Sequence, residues 1–368
     1  MPASKGLAPG LVWRPLGKEN SADLLNLLAE LEDTDKALFR TSLEETEQML
    51  GRGGVAEAVG LYTVPGGTGP GDIVSGGKRR SERETDSKSP AEGADTLSRE
   101  ARGTLLAFGY VGLARSGQPE AICHGGVHPD MRGHGLGESI MKWQTSRGRA
   151  LLEEAFPGKP ASIIHTVDAQ RTDLHDHLER LRYRWEDSYA ELRHDLQEIP
   201  EASDIPGLIE IEAWDDSWEK PTRRAFKRAA AEMESSDKDS AELWAGARED
   251  GVPEWSFVAV DRSGDRPRVA GLIELSRYEQ DWHALGWREG YIDTVAVFDA
   301  EYRSEILRAL MSRAMQAVAD AGLDKAAVGL DPERDPEMMH FYTLLGFEPN
   351  VWWRTYSRTC ASGAQGAN

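Results

Sequence analysis

The sequence predicts a mixed α/β (α+β) protein built as two domains in tandem, each a mixed sheet flanked by helices. Three observations carry this expectation. The chain has 368 residues, long for one domain and enough for two separate cores. A strand-and-helix alternation runs to about residue 197 and starts again at 205, beyond a polar linker (198–204) that contains Pro200 and is followed by Pro206. One stretch, Gly126-Val127-His128-Pro129-Asp130-Met131-Arg132-Gly133-His134-Gly135-Leu136-Gly137, reads as a strand end, a tight glycine turn and a helix start.

In the first half, Leu11 to Leu16 is a strand, after which Asn20 or Ser21 caps a helix with Leu24, Leu28 and Leu31 on one face. A second helix covers Leu43 to Leu50. From 65 to 103 the composition turns to Gly, Pro, Ser and charged residues, which predicts a mobile insertion without a packed core. Strands return at Thr104 to Leu113 and at Ala121 to Val127, the second delivering the chain to the glycine turn. After the long helix from Leu136 come a buried strand (Ser162 to Val167), a helix near Leu174 to Leu181 and a strand around Tyr189 to Leu192.

The second half repeats the pattern. Leu208 to Trp214 is a strand, and Ser217 to Met233 has the composition of a helix with Pro221 in its first turns. Strands follow at Trp255 to Val260, Val269 to Leu275 and Tyr291 to Val297. Ile306, Leu307, Leu310, Met311, Ala314, Met315 and Val318 form the apolar stripe of an amphipathic helix. Lys325 to Leu330 is a strand, and Asp335-Pro336 opens a last helix as cap and first-turn proline. This helix runs into Phe341-Tyr342-Thr343-Leu344-Leu345-Gly346-Phe347; the domain closes near 358, leaving a flexible tail (359–368).

The glycine turn carries the chemistry. Glycines at 133, 135 and 137 keep side chains away where the backbone enters the helix, so consecutive N–H groups can face an anion at the positive end of the dipole. No lysine follows them as in a P-loop, and their spacing is not that of the dinucleotide fingerprint. The stretch resembles the acyl-CoA loop of the GNAT (Gcn5-related N-acetyltransferase) superfamily, Val-x-Pro-x-x-Arg-Gly-x-Gly-Leu-Gly/Ala, at every specified position from Val127 to Gly137. The Leu345-Gly346-Phe347 end of the last helix resembles the closing signature of the same family, so the chain resembles a tandem GNAT protein with a layout similar to the mycothiol synthase group. The resemblance implies two splayed sheets. It also implies acetyl-CoA as co-substrate, bound in the first half by Gly126, Val127, Arg132, Gly133, His134, Gly135, Leu136 and Gly137.

The two copies differ. Aligned on Val127 and Val297, the second loop has Arg303, Glu305 and Leu307, or with one inserted residue Ser304 and Ile306, where the first has glycines. Either register removes the room for a diphosphate, so the second copy is expected not to bind acyl-CoA through this loop, against the mycothiol synthase group, whose second domain is catalytic. The tyrosine that the resemblance makes the acid for the departing thiolate is Tyr342, and its first-half counterpart is Leu178. Amine transfer needs a base for the amine proton, and His124, on the strand before the loop, and Glu120 are the candidates. The resemblance places an oxyanion-stabilising strand bulge at Val127. His165 lies on the strand across the cleft, while His175 and His177 read as solvated, and Asp293 and Tyr342 as shaping a second pocket. Trp282, Trp287 and Tyr291 read as lining a junction cavity or as interface packing.

A net charge of −20 argues against a nucleic-acid partner and suits a cationic substrate or plain solubility. Two cysteines, 123 and 360, imply neither a disulfide framework nor a cysteine metal site, and no metal is expected. Without a leader-like start or about 18 consecutive apolar residues, the chain reads as a cytoplasmic protein without a membrane partner. The expected function is acetyl transfer from acetyl-CoA to a primary amine of a small molecule. The alternatives are a non-catalytic acyl-CoA sensor or scaffold and a protein N-acetyltransferase.

Overall fold

The computed structural model describes residues 1–2, 9–64, 103–114, 117–202, 204–205, 207–232, 251–299 and 301–360. The expected insertion lies outside the described residues up to 102, as does the tail from 361. The first half runs β1 (Leu11–Pro15), α1 (Ser21–Asp35), α2 (Leu43–Leu50), β2 (Ala56–Thr63), β3 (Leu105–Leu113), β4 (Glu120–Val127), α3 (Leu136–Ala155), β5 (Ala161–Asp168), α4 (Thr172–Arg180) and β6 (Arg184–Asp195). The second runs β7 (Ile209–Ala213), α5 (Glu219–Glu232), β8 (Phe257–Asp261), β9 (Arg268–Ser276), α6 (Glu279–Leu285), β10 (Glu289–Val297), α7 (Arg303–Asp320), β11 (Lys325–Leu330), α8 (Pro336–Leu344) and β12 (Glu348–Cys360).

Local chemistry explains many of the boundaries. Ser42 and Glu45 form a reciprocal capping box at the start of α2, Oγ accepting from Glu45 N at 3.2 Å and Oε2 from Ser42 N at 2.6 Å. Asp335 Oδ1 accepts from Met338 N at 3.0 Å and Pro336 follows it, which starts α8. The seven apolar side chains foreseen on α7 are all buried in the second core. Sequence reading passed over β2, whose Ala56, Glu57 and Ala58 carry little strand propensity. Its Gly60 is required by packing, since a Cβ there would crowd Leu105 and Leu16.

The strands form one twelve-stranded sheet, ordered β1-β2-β3-β4-β5-β12-β6-β11-β10-β9-β8-β7. The order is symmetric about its centre, and there the halves exchange their last strands. The final strand β12 pairs antiparallel with β5 from Trp353↔Asp168 to Cys360↔Ala161, while β6 pairs antiparallel with β11 from Lys325↔Asp195 to Leu330↔Ala190. Side chains follow: Tyr356 is buried in the first-half core, and Ala190, Leu192 and Leu196 in the second-half core.

Each half contains one parallel pair that separates part-way. The β4–β5 ladder runs from Glu120↔Ser162 to Cys123↔His165 and stops there, although β4 continues to Val127 and β5 to Asp168. The β10–β11 ladder likewise ends at Ile292↔Val328. Four strand spacings of about 4.8 Å separate the two openings, so they lie roughly 19 Å apart.

Residues 1–204 expressed alone lack the strand that stands between β5 and β6. They are expected to be unfolded or self-associated by circular dichroism and gel filtration, and adding 205–368 should restore one cooperative transition. Two halves that each fold as a monomer would rule out the exchange.

Candidate functional site

The opening between β4 and β5 is prepared by the parity of the ladder. His128 N donates to Leu106 O at 2.8 Å. Alternation along an antiparallel pair then turns the N–H groups of Gly125 and Val127 toward β5, beyond the point where β5 has left. The β3–β4 register runs without a shift from Ala107↔Val127 to Leu113↔Ala121, so the bulge expected at Val127 is absent. The second half has one instead, at Asp293 between Ile292 and Thr294. Val127 N–H reaches the opening without a bulge, by alternation alone.

The glycine loop stands at the mouth of this opening. Gly133 and Gly135 have φ of 80° and 76°, left-handed values that glycine adopts without strain, and no atom lies within 4 Å of a Cβ built on either or on Gly137. Gly135 caps α3, and among the described residues no protein acceptor is engaged by the amides from Gly133 to Leu136. His134 folds back, its Nδ1 lying 2.9 Å from Arg132 O. Gly126 faces α1, where a Cβ would collide with Leu31, so its small size serves helix packing.

Arg132 donates through Nε to Val127 O at 3.2 Å, and its two Nη atoms meet the Asp35 carboxylate at 2.6 and 2.8 Å. From the other lip, Arg171 Nη1 donates to Asp35 Oδ2 at 2.8 Å. Glu30 pairs with His128 at 2.7 Å, a second tie between α1 and the loop.

The vertex carries two histidines. His124 is exposed, on the face of β4 that Gly126 turns toward α1, its ring 5.8 Å from that of Tyr110. The protein around it disfavours the imidazolium, holding its pKa below the ordinary histidine value. His165 is buried on the α3 side, edge-on to Tyr183 at 4.9 Å. Burial, then the nearby His124, pushes its pKa down to about 3. His175, expected to be solvated, is buried with its ring 5.4 Å from that of Tyr356, because α4 packs against the exchanged strand β12.

The other candidates are not brought here. Glu120 begins β4, four residues or about 13 Å from His124. It lines a recess of about 340 Å³ with Glu186, Asp187, Asp331 and Arg334. Burial, then Glu186, raises its pKa. Tyr342 lies in the second-half core against Phe341 and Phe347, beside the other opening, and burial raises its pKa. Asp293 accepts from Tyr278 Oη at 3.0 Å. Leu178 is fully buried in the first-half core. Trp282 and Trp287 donate to Glu289, and Tyr291 Oη lies 3.3 Å from Tyr189 Oη of the exchanged strand β6, so this group packs the junction.

Sequence comparison of the loops missed one contact. In the second half Asp299 Oδ1 accepts from the amides of Glu301 at 2.9 Å and Tyr302 at 3.2 Å, and Arg268 sits 3.5 Å from Oδ2. Two donors just ahead of α7 are thus engaged by the chain's own carboxylate, at positions aligned with Met131 and Arg132, whose amides donate to the His128 and Pro129 carbonyls. An aspartate two and three residues before those amides is a short-range signal the sequence already held.

A symmetric sheet, two parallel pairs that splay and a glycine turn at one mouth define the architecture. This is the tandem GNAT fold. The chain is similar to a GCN5-related N-acetyltransferase from Sphaerobacter thermophilus, with 18% identity, a TM-score of 0.62 and 96% of each chain covered. It is also similar to a tandem GNAT protein from the clavulanic acid biosynthesis pathway, with 14% identity, a TM-score of 0.59, and 97% of this chain and 100% of that one covered. A fungal GCN5-related glucosamine N-acetyltransferase region, within a multi-domain β-N-acetylglucosaminidase, matches at 15% identity and a TM-score of 0.58, covering 96% of this chain and 38% of that one. No protein-family model and no curated protein matches the sequence. Among the described residues, no helix of the tandem GNAT fold is long and apolar enough to cross a membrane.

The buried His165 makes a stability prediction. With its pKa moved from 6.5 to about 3, the unfolded chain binds a proton that the folded chain does not between those values, so stability falls as pH drops through that window. Urea midpoints at about pH 7 and about pH 4.5 should differ less for His165→Leu than for the wild type. An equal drop in both would mean that His165 is not held neutral.

Proposed function

We propose that this chain is an N-acyltransferase that carries an acetyl group from acetyl-CoA to a primary amine of a small molecule, using the opening in its first half. The observation that carries the reading is the glycine loop itself: among the described residues the amides from Gly133 to Leu136 engage no protein acceptor and open space surrounds Gly133, Gly135 and Gly137, where the second loop has Arg303, Glu305 and Leu307. Structural neighbours described as N-acetyltransferases support the same reading.

In this reading the amides of Gly133 to Gly137 hold the diphosphate, and Gly125 and Val127 donate along the opening to the pantetheine arm and the thioester oxygen. His124, kept neutral at pH 7, takes the proton of the attacking amine as its nitrogen bonds to the thioester carbon. The C–S bond breaks and the sulfur leaves as a thiolate. Glu120, about 13 Å along β4, is too far from His124 to share this step, and Tyr342 belongs to the second-half core. Fully buried Leu178, which supplies no proton to the thiolate, is the observation favouring the second reading, a non-catalytic acyl-CoA binder.

Gly137 gives a clean test, because it lies in the first turn of α3 with open space around it. Gly137→Glu should fold as the wild type and lose acetyl-CoA binding in calorimetry, while Ser304→Glu in the second loop should keep it. The reverse result would place the ligand in the second half. His124→Ala should keep acetyl-CoA affinity and lower amine-dependent thiol release by about 10²–10⁴-fold. The wild-type rate should rise with pH to a plateau governed by a pKa below 6.5. No thiol release from any amine, with binding intact, would favour the binder.

A further inference from the structure

Asp35 occupies an unusual place for a carboxylate. It is the last residue of α1, at the negative end of the helix dipole, where an acid is disfavoured. The next residue, Lys36, has φ of 55°, a left-handed value that is strained for a non-glycine residue. Both terms favour unwinding this final turn. What opposes them is a pair of arginines from opposite lips of the first-half opening, Arg132 in the glycine loop and Arg171 at the start of α4. Arg171 is aimed by Asp173, which accepts from its Nε at 3.0 Å and its Nη2 at 3.1 Å, leaving Nη1 to face Asp35. One carboxylate therefore spans the mouth, taking three hydrogen bonds from two guanidinium groups beside a row of unengaged amides.

We propose that Arg171 is a second anion-binding arm of this opening, and that Asp35 stands in for a ligand diphosphate, bridging Arg132 and Arg171 until that diphosphate displaces it. A diphosphate offers more charge and more acceptor oxygens to the same two forks, and it reaches the loop amides as well. Once displaced, Asp35 leaves a strained helix end, so release of the latch is locally favourable. The mouth is held shut when empty and opens as the arginines change partner. This rests on the proposed acyl-CoA reading for the identity of the ligand, but the latch itself requires only an anion of diphosphate type.

The test titrates CoA and, separately, inorganic pyrophosphate into the wild type, Asp35→Asn, Arg171→Gln, Arg171→Lys and Gly137→Glu, with thermal melts confirming that each is folded. Asp35→Asn should bind both probes roughly threefold to tenfold more tightly, because the resident competitor is gone. Arg171→Gln should weaken both by a similar factor, and Arg171→Lys, which keeps the charge without the fork, should fall between. Asp35→Asn binding that is unchanged or weaker, or Arg171→Gln binding that is unchanged, would overturn the proposal. If pyrophosphate follows this pattern while CoA does not bind, or while Gly137→Glu leaves CoA binding intact, the acyl-CoA reading fails and the latch stands. If CoA binding is lost in Gly137→Glu but indifferent to Asp35 and Arg171, the latch fails and the reading stands.

Discussion

The exchange of β6 and β12 at the centre of the sheet is the constraint on which the rest of the structure depends. Each strand is paired on both edges by strands of the other half, β12 between β5 and β6 and β6 between β12 and β11. Unpaired backbone donors and acceptors inside a sheet are costly, so neither half can close without the other. The seam is reinforced by a buried charge cluster. Arg193 on β6 donates to Glu289 on β10 at 3.2 and 3.1 Å and pairs with Glu191 at 2.9 Å. Burial still pushes Glu191 up to about 7 despite that arginine. Such a cluster is weak evidence for net stability, but removing one partner strands the others, which penalises any other arrangement of the halves.

From this scaffold come two openings of like geometry with unlike chemistry. Both arise where parallel strands part, and both are followed by a loop entering a long helix. In the first, glycines leave the amides bare and two arginines stand at the lips. In the second, Arg303, Glu305 and Leu307 stand where the first has glycines, and Asp299 holds the turn through the amides of Glu301 and Tyr302. The two openings, roughly 19 Å apart, thus differ in the residues at their mouths. Tyr342 lies in the second-half core, whereas His124 lies on β4 of the first half.

Much of the fold was legible because its signals are local. The capping residues Ser42 and Asp335, the apolar stripe of α7 and the restart of the pattern beyond 205 each depend on neighbours within a turn or two. The loop was legible for the same reason, since Gly133 and Gly135 adopt backbone angles that glycine alone adopts freely. The short strand β2 and the seven-residue helix α6 were not, because packing rather than propensity holds them in place. His175 reads as a surface residue on a polar helix, yet it is buried against a strand from the far end of the chain.

By itself the sequence determined the element order, the repeated pattern and the glycine loop ahead of α3, since all three follow from short-range periodicity and backbone freedom. Only the tertiary structure decided which strand lies beside β5, where the β4–β5 ladder ends and which side chains meet at its vertex. It also decided that Asp35 reaches across to Arg132 and Arg171. These pairings join residues 97 and 136 positions apart. No local pattern encodes such a contact, because the chain acquires it only when separate elements are packed onto a common sheet.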